Sequence, residues 1–150
     1  MKPFRKLLPL VLLLTLPAVA QAQFTYTTAF GKITITGYTG PGGAVAIPDT
    51  ITGLPVISIG GYAFYNVSNV TSVAISTNVT SIGDYAFESC SSLTNVTVPK
   101  SVTSIGAGAF ESCDNLTEIT VDPLNSFYSS ADGVLFNKSQ TTLIECPGGK

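Results

Sequence analysis

The feature that most constrains this chain is an internal repeat of fixed length. The string Ile-Gly-x-x-Ala-Phe occurs at Ile59–Phe64, Ile82–Phe87 and Ile105–Phe110, each start 23 residues after the last. Aligning Val70–Ser92 with Leu93–Asn115 makes 12 of 23 positions identical, among them Val79–Gly83 with Val102–Gly106. A constant period of this size marks a solenoid, because so short a unit cannot bury its own apolar edge and must stack on a copy of itself.

The apolar positions fall into columns: Val70/Leu93/Leu116, Val73/Val96/Ile119, Ile75/Val98/Val121, Val79/Val102, Ile82/Ile105 and Phe87/Phe110. The alternation from Leu93 through Val96 to Val98, with β-branched neighbours, predicts one short strand per repeat. Such strands stack in parallel at the roughly 4.8 Å spacing of a sheet. Tyr85–Ser89 and Gly108–Ser112 have room for only one helical or irregular turn. In the first unit, Ile47 to Ile59 holds five extra residues, about Thr52 to Val56, which predicts a bulging loop.

Both ends depart from the period. Phe24–Thr28 and Lys32–Thr36 alternate around Ala29-Phe30-Gly31, predicting a β-hairpin over the first exposed edge, and Gly37–Gly43 reads as a flexible connector. Val134–Phe136 and Thr142–Ile144 flank the polar cluster Asn137–Gln140 and predict a second hairpin. Docked on the last repeat, it would bury Leu135, Leu143 and Ile144, cover Leu116, Ile119 and Val121, and keep the chain monomeric. The fold class expected is mainly β: a solenoid of short stacked parallel strands with a hairpin at each end. The chain divides into residues 1–22, a capping hairpin and connector at 23–46, repeats at 47–123 and a variant terminal unit at 124–150.

Residues 1–22 have the order of a cleavable export signal. Lys2, Arg5 and Lys6 precede an apolar stretch from Leu7 to Ala20, and Ala20-Gln21-Ala22 is a cleavage pattern with Gln23 next. The stretch carries Pro9 and Pro17 and is short of the roughly 20 residues of a membrane span, so a secreted or cell-surface protein without stable membrane insertion is expected. From Gln23 onward, Lys32, Lys100, Lys138 and Lys150 stand against nine carboxylates, a net charge of −5, and the only Arg is Arg5. That surface disfavours nucleic acid. The absence of His excludes Ser-His-Asp and Cys-His nucleophiles and His metal sites. No Cys-x-x-Cys, P-loop or Gly-x-Gly-x-x-Gly occurs, so no cofactor is expected.

The strand segment, Val-Thr-Ser-Ile-Gly, Ala-Phe and a Cys three residues after the Phe together resemble the BspA-like type of leucine-rich repeat, over about Ile47 to Lys150. Tyr128–Lys138 followed by Thr142–Ile144 is similar to a variant unit of such arrays, with Cys146 standing where that unit usually has a Tyr before Pro. The resemblance implies a leucine-rich-repeat solenoid and an exported, non-catalytic bacterial protein used for adhesion or protein contacts. Its partner would be an extracellular protein or polysaccharide. In such repeats the outward columns on the strands form the concave docking face, here Ser72/Asn95/Glu118, Ala74/Thr97/Thr120 and Ser76/Pro99/Asp122. Ser72, Ala74, Asn95, Thr97, Glu118 and Thr120 are the candidate binding residues. With none of the Tyr, Trp or Arg anchors of tight interfaces, the face predicts a weak or multivalent contact, the alternative being a purely structural surface protein.

Two other constellations come from the repeat. Cys90 and Cys113 lie one unit apart and could approach within disulfide range, or could be two reduced, buried thiols; Val67 in the equivalent first slot favours the thiols. Cys146 is the odd one, packed or free to join two chains. Glu88 and Glu111 are stacked equivalents, and carboxyls about 5 Å apart are the geometry of a retaining glycosidase. They belong to a repeated consensus and show no aromatic platform nearby in sequence, so a solvated pair of like charges is the reading preferred to a glycan-binding or glycan-hydrolysing site.

Overall fold

The computed structural model describes residues 23–150; the export signal read at 1–22 lies outside them. No helix occurs among the described residues, which form thirteen strands. Four of these, β3 (Gly43–Ala46), β6 (Val70–Ala74), β8 (Asn95–Val98) and β10 (Glu118–Val121), stack in parallel in the order of the chain. Their register places Val45, Val73, Val96 and Ile119 in one column, each buried, while the residues between them face out. Stacking therefore starts at Gly43, four residues before the boundary drawn at 47.

Each repeat carries a second strand as well, where one alone was expected. β2 (Lys32–Tyr38), β5 (Leu54–Ile59), β7 (Ser81–Ile82) and β9 (Ser104–Ile105) form another parallel ladder, with Ile59, Ile82 and Ile105 in register. The turn segments that follow it make a third wall. Phe64 N–H donates to the Ala86 carbonyl at 2.7 Å and Phe87 N–H to the Ala109 carbonyl at 2.8 Å, so successive turns are also bonded to each other. Gly83 explains the Gly of Ile-Gly-x-x-Ala-Phe: a Cβ there would run into the backbone of Gly60 and Gly61 in the previous coil. Coils this close exclude any side chain at that position.

The core is a column of rings between the walls. Phe64, Phe87 and Phe110 stack at centroid distances of 4.8 and 5.5 Å, all buried. Parallel rings in contact add to the gain from burying their area. The N-terminal hairpin, β1 (Phe24–Ala29) with β2, extends this column: Tyr38 stacks on Phe64 at 5.2 Å and Phe24 packs against both. The hairpin is thus where it was expected, and β2 adds a strand to the second ladder.

Threonine hydroxyls tie the coils together. Thr94 and Thr117 donate to the carbonyls of Thr71 and Thr94 at 3.1 and 3.2 Å, and Thr80 and Thr103 to those of Ile57 and Thr80 at 3.2 Å. Each link spans one period, which accounts for the threonines at these repeated positions: the β-branched hydroxyl suits a strand and reaches the neighbouring carbonyl.

The expected bulging loop at Thr52–Val56 is a tight hairpin instead. β4 (Thr50–Ile51) pairs with Leu54–Pro55 across Thr52-Gly53, both left-handed, and Val56 is fully buried. A two-residue turn of this hand matches the twist of the strands it joins, so the extra residues fold back. The connector residues are also held, since Asn69 Nδ2 donates to the Pro41 carbonyl at 3.0 Å and Gly42 N–H to the Tyr38 hydroxyl at 3.4 Å.

At the other end, β11 (Tyr128–Ala131), β12 (Val134–Asn137) and β13 (Leu143–Glu145) form a three-stranded antiparallel sheet, one strand more than the expected hairpin. It docks as a cover. Leu135 is fully buried as expected, but Leu143 is 56% exposed and Ile144 37%. A register shift beside Leu135 sets Glu145 opposite Leu135 and Leu143 opposite Phe136, so Leu143 lies on the face away from Leu135 and Ile144 is the extra, unpaired residue. Asn125, buried and missed from the sequence, does the anchoring: Nδ2 donates to the carbonyls of Pro99 and Val102 at 2.9 Å, and Oδ1 accepts from the N–H of Phe127 and Tyr128 at 2.8 Å. Leu116, Ile119 and Val121 are covered.

Candidate functional site

Two of the three outward columns lie on the solvent face of the first ladder. Pairing across the strands aligns Ala44, Ser72, Asn95 and Glu118 in one, and Ala46, Ala74, Thr97 and Thr120 in the other. All are exposed except Ser72, which is half-buried. The six residues proposed for binding therefore share one surface, lengthened by the two alanines. The third column departs from that arrangement. Pro99 is buried, Ser76 is hydrogen-bonded to Asp49, and the Asp122 carboxylate accepts the Leu124 N–H at 2.8 Å. Residues in that column serve the turns.

The face is gently hollowed. A depression of about 320 Å³ is lined by Ser72, Ala74, Asn95 and Thr97 with Val73, Ile75 and Pro99. A second, of about 280 Å³, shares Ala74 and Ile75 and continues across Ala46, Ile47, Pro48 and Asp49. Small side chains at 44, 46, 72 and 74 make the hollow, and polarity rises toward Glu118, whose carboxylate accepts the Thr120 hydroxyl at 3.2 Å.

Cys90 and Cys113 are free and buried. Their thiols donate to the Phe64 and Phe87 carbonyls at 3.1 and 3.0 Å, the sulfur counterpart of the threonine links. Val67, in the equivalent first slot, is a partly buried side chain packed against the core. The neighbouring Cys113 thiol, with burial, pushes Cys90 well above the ordinary thiol range, so it stays protonated. Cys146 is exposed.

Glu88 is half-buried and Glu111 exposed. Their surroundings correct the expectation from the sequence: Tyr85, three residues from Glu88, stacks on Tyr62 at 5.3 Å, and Tyr65 stands edge-on to Tyr62 at 5.8 Å. An aromatic platform is present beside these carboxylates. It escaped the sequence reading because the outward columns were traced along strands, whereas these rings project from turns. Among the described residues no group of three or more His, Cys, Asp or Glu is placed to hold a metal ion.

A family model described as BspA type leucine rich repeat region matches residues 45–148 in six copies. Among solved structures, the leucine rich repeat protein TpLRR of T. pallidum is 34% identical over 65% of this chain and 47% of its own, with a TM-score of 0.63. This chain therefore spans about half the length of that relative. A leucine-rich repeat protein from Bacteroides capillosus ATCC 29799 is 33% identical over 68% of this chain and 80% of its own, again with a TM-score of 0.63. None of the curated proteins matches the sequence.

Proposed function

The chain belongs to the BspA-type leucine-rich repeat family, and on that premise we propose that it is an exported, non-catalytic interaction module that seats an extracellular partner on the solvent face of the first ladder. The family is one of surface and secreted bacterial proteins, generally without catalytic activity. The observation that carries the docking face is the continuous hollow over three strands, lined by Ser72, Ala74, Asn95 and Thr97 and bounded by Glu118 and Thr120. A shallow groove lined mainly by small, uncharged side chains favours modest affinity at one copy and gains from many.

Thr97→Arg and Ala74→Arg test this reading, since both sites are exposed and the backbone there is already paired. Binding to a panel of purified extracellular-matrix proteins and bacterial or host polysaccharides is expected to fall at least tenfold in both variants, with unfolding temperature unchanged. Equal binding by variant and parent would remove the ladder face from the function. Glycan hydrolysis abolished by Glu88→Gln or Glu111→Gln would instead make the protein an enzyme. Mass spectrometry of the protein recovered outside the producing cell is expected to show Gln23 as its first residue.

A further inference from the structure

A second surface stands apart from the ladder face, on the turns that follow β5 and β7. Tyr62 and Tyr65 are 55% and 53% exposed, and Tyr62 lies stacked with its repeat equivalent Tyr85 at an interplanar angle of 18°. In the third repeat this position is Gly108, over which the Tyr85 ring leans. All three have the same left-handed backbone, with φ of 59° at Tyr62, 56° at Tyr85 and 59° at Gly108. Glycine is the unstrained residue there, and a bulky ring is an unfavourable one. Two of three repeats hold a tyrosine against that strain, and Tyr62 leaves most of its ring in water. Burial does not account for it; strain of this kind collects where a surface is used.

The charge around the rings is one-sided. Asp84, whose Oδ1 accepts the Ala107 N–H at 2.9 Å, and Glu88 lie beside them, and desolvation together with the fields of Tyr85, Glu88, Asp84 and Tyr65 raises the Tyr62 hydroxyl above its ordinary value. Each of these influences acts in the same direction, with no cation among them. A cation held over the open face of a ring in this cluster and flanked by carboxylates gains from both. A neutral sugar on the same open face gains less, because the field of the carboxylates acts on charge.

We propose that Tyr62, Tyr65 and Tyr85, with Asp84 and Glu88, form a receptor for a lysine or arginine side chain of a protein partner, separate from the ladder groove. The guanidinium or ammonium would sit against the tyrosines and hydrogen-bond to the carboxylates. With one cation per site the contact is weak alone and additive to docking elsewhere.

The test is titration of the protein with a tetra-arginine amide peptide, followed by NMR of the tyrosine ring and backbone signals. Saturable shifts are expected at Tyr62, Tyr65, Tyr85 and Glu88. The double variant Tyr62→Gly/Tyr85→Ser keeps the net charge and relieves strain at Tyr62, and it should bind at least fivefold more weakly while remaining folded by its amide spectrum. Glu88→Gln, which leaves the rings in place, should weaken binding about threefold and serves should the double variant unfold. Undiminished binding in either variant, or shifts centred on Glu118 and Asp122, would show diffuse attraction to an acidic protein and overturn the proposal. So would ring shifts with chitotriose that the peptide does not produce, which would make the platform a sugar site. None of these outcomes bears on the Ala74 and Thr97 variants of the ladder face.

Discussion

The two ends of the solenoid are closed by opposite means. At the N-terminal end the array is extended: β2 pairs in parallel with β5, placing Ile35 opposite Ile59 after one register shift, and Phe24 and Tyr38 continue the ring column. The first ladder is not extended, and β3 stands at the end of its sheet. At the C-terminal end neither ladder gains a strand. Single atoms meet the outgoing donors instead. The Ile119 N–H reaches the Gly133 carbonyl at 2.9 Å, Val121 N–H the Ser130 hydroxyl at 3.0 Å and Ile105 N–H the Tyr128 hydroxyl at 2.8 Å. Extension spreads closure over a strand and two rings, whereas plugging concentrates it in a few polar side chains. The plugged end should therefore be the more sensitive to single substitutions.

The largest effect is expected from removing residues 124–150. This strips the acceptors from Ile105, Ile119 and Val121 and uncovers Leu116, so the truncated protein should associate in light scattering. A stable monomer would mean that the terminal sheet is dispensable. Next come two point variants, one for each end. Asn125→Ala leaves two buried donors and two acceptors without their partner and should cost about 4 kcal/mol; Phe24→Ala, losing one buried ring, should cost about 3 kcal/mol. Urea unfolding measures both, and the contrast between the ends breaks if Asn125→Ala is the milder. An interior link provides the baseline. Thr94→Val keeps the β-branch but loses its bond to Thr71, at about 1 kcal/mol or less.

The smallest effect concerns Glu145. Burial, chiefly, and the neighbouring Glu111 raise its carboxyl above the ordinary range, while the Phe110 N–H acts the other way. That N–H, which in earlier repeats would find the carbonyl of a following coil, has this carboxyl as its neighbour. A raised folded-state pKa means that folding favours the protonated form: its contribution is full below the unfolded pKa and is lost as pH rises through the folded one. Glu145→Gln should thus raise the unfolding temperature slightly at pH 7 and leave it unchanged at pH 3. Equal shifts at both pH values would show that the carboxyl does not titrate against the fold.

The core columns and the N-terminal hairpin were legible in the sequence because period and alternation are local patterns, and Val73, Val96, Ile119 and the three phenylalanines obey them without exception. The second ladder was not, since Ser81–Ile82 and Ser104–Ile105 are two-residue strands, too short to alternate. Leu143 and Ile144 were misplaced because apolar character does not say which way a hairpin faces; a register shift decided that. Asn125 gave no signal in a chain rich in Asn, and its role exists only where four backbone groups converge. For the candidate site, the shared outward placement of the six ladder residues was legible because strand geometry fixes which positions face out. The tyrosine platform was not, because in left-handed turns the facing of a side chain depends on φ, which residue type reported only at Gly108.

The interior links, from the threonine hydroxyls and cysteine thiols to the turn N–H groups, all end on the corresponding atoms of an adjacent copy, and the two closures touch only the terminal coils. A further 23-residue copy placed between Ser92 and Leu93 would therefore inherit a donor for every acceptor and a ring for the stack, with no change to either end. Array length is a free variable of this architecture, so tandem duplication in the gene can lengthen the molecule in single steps of one repeat while each product keeps both closures.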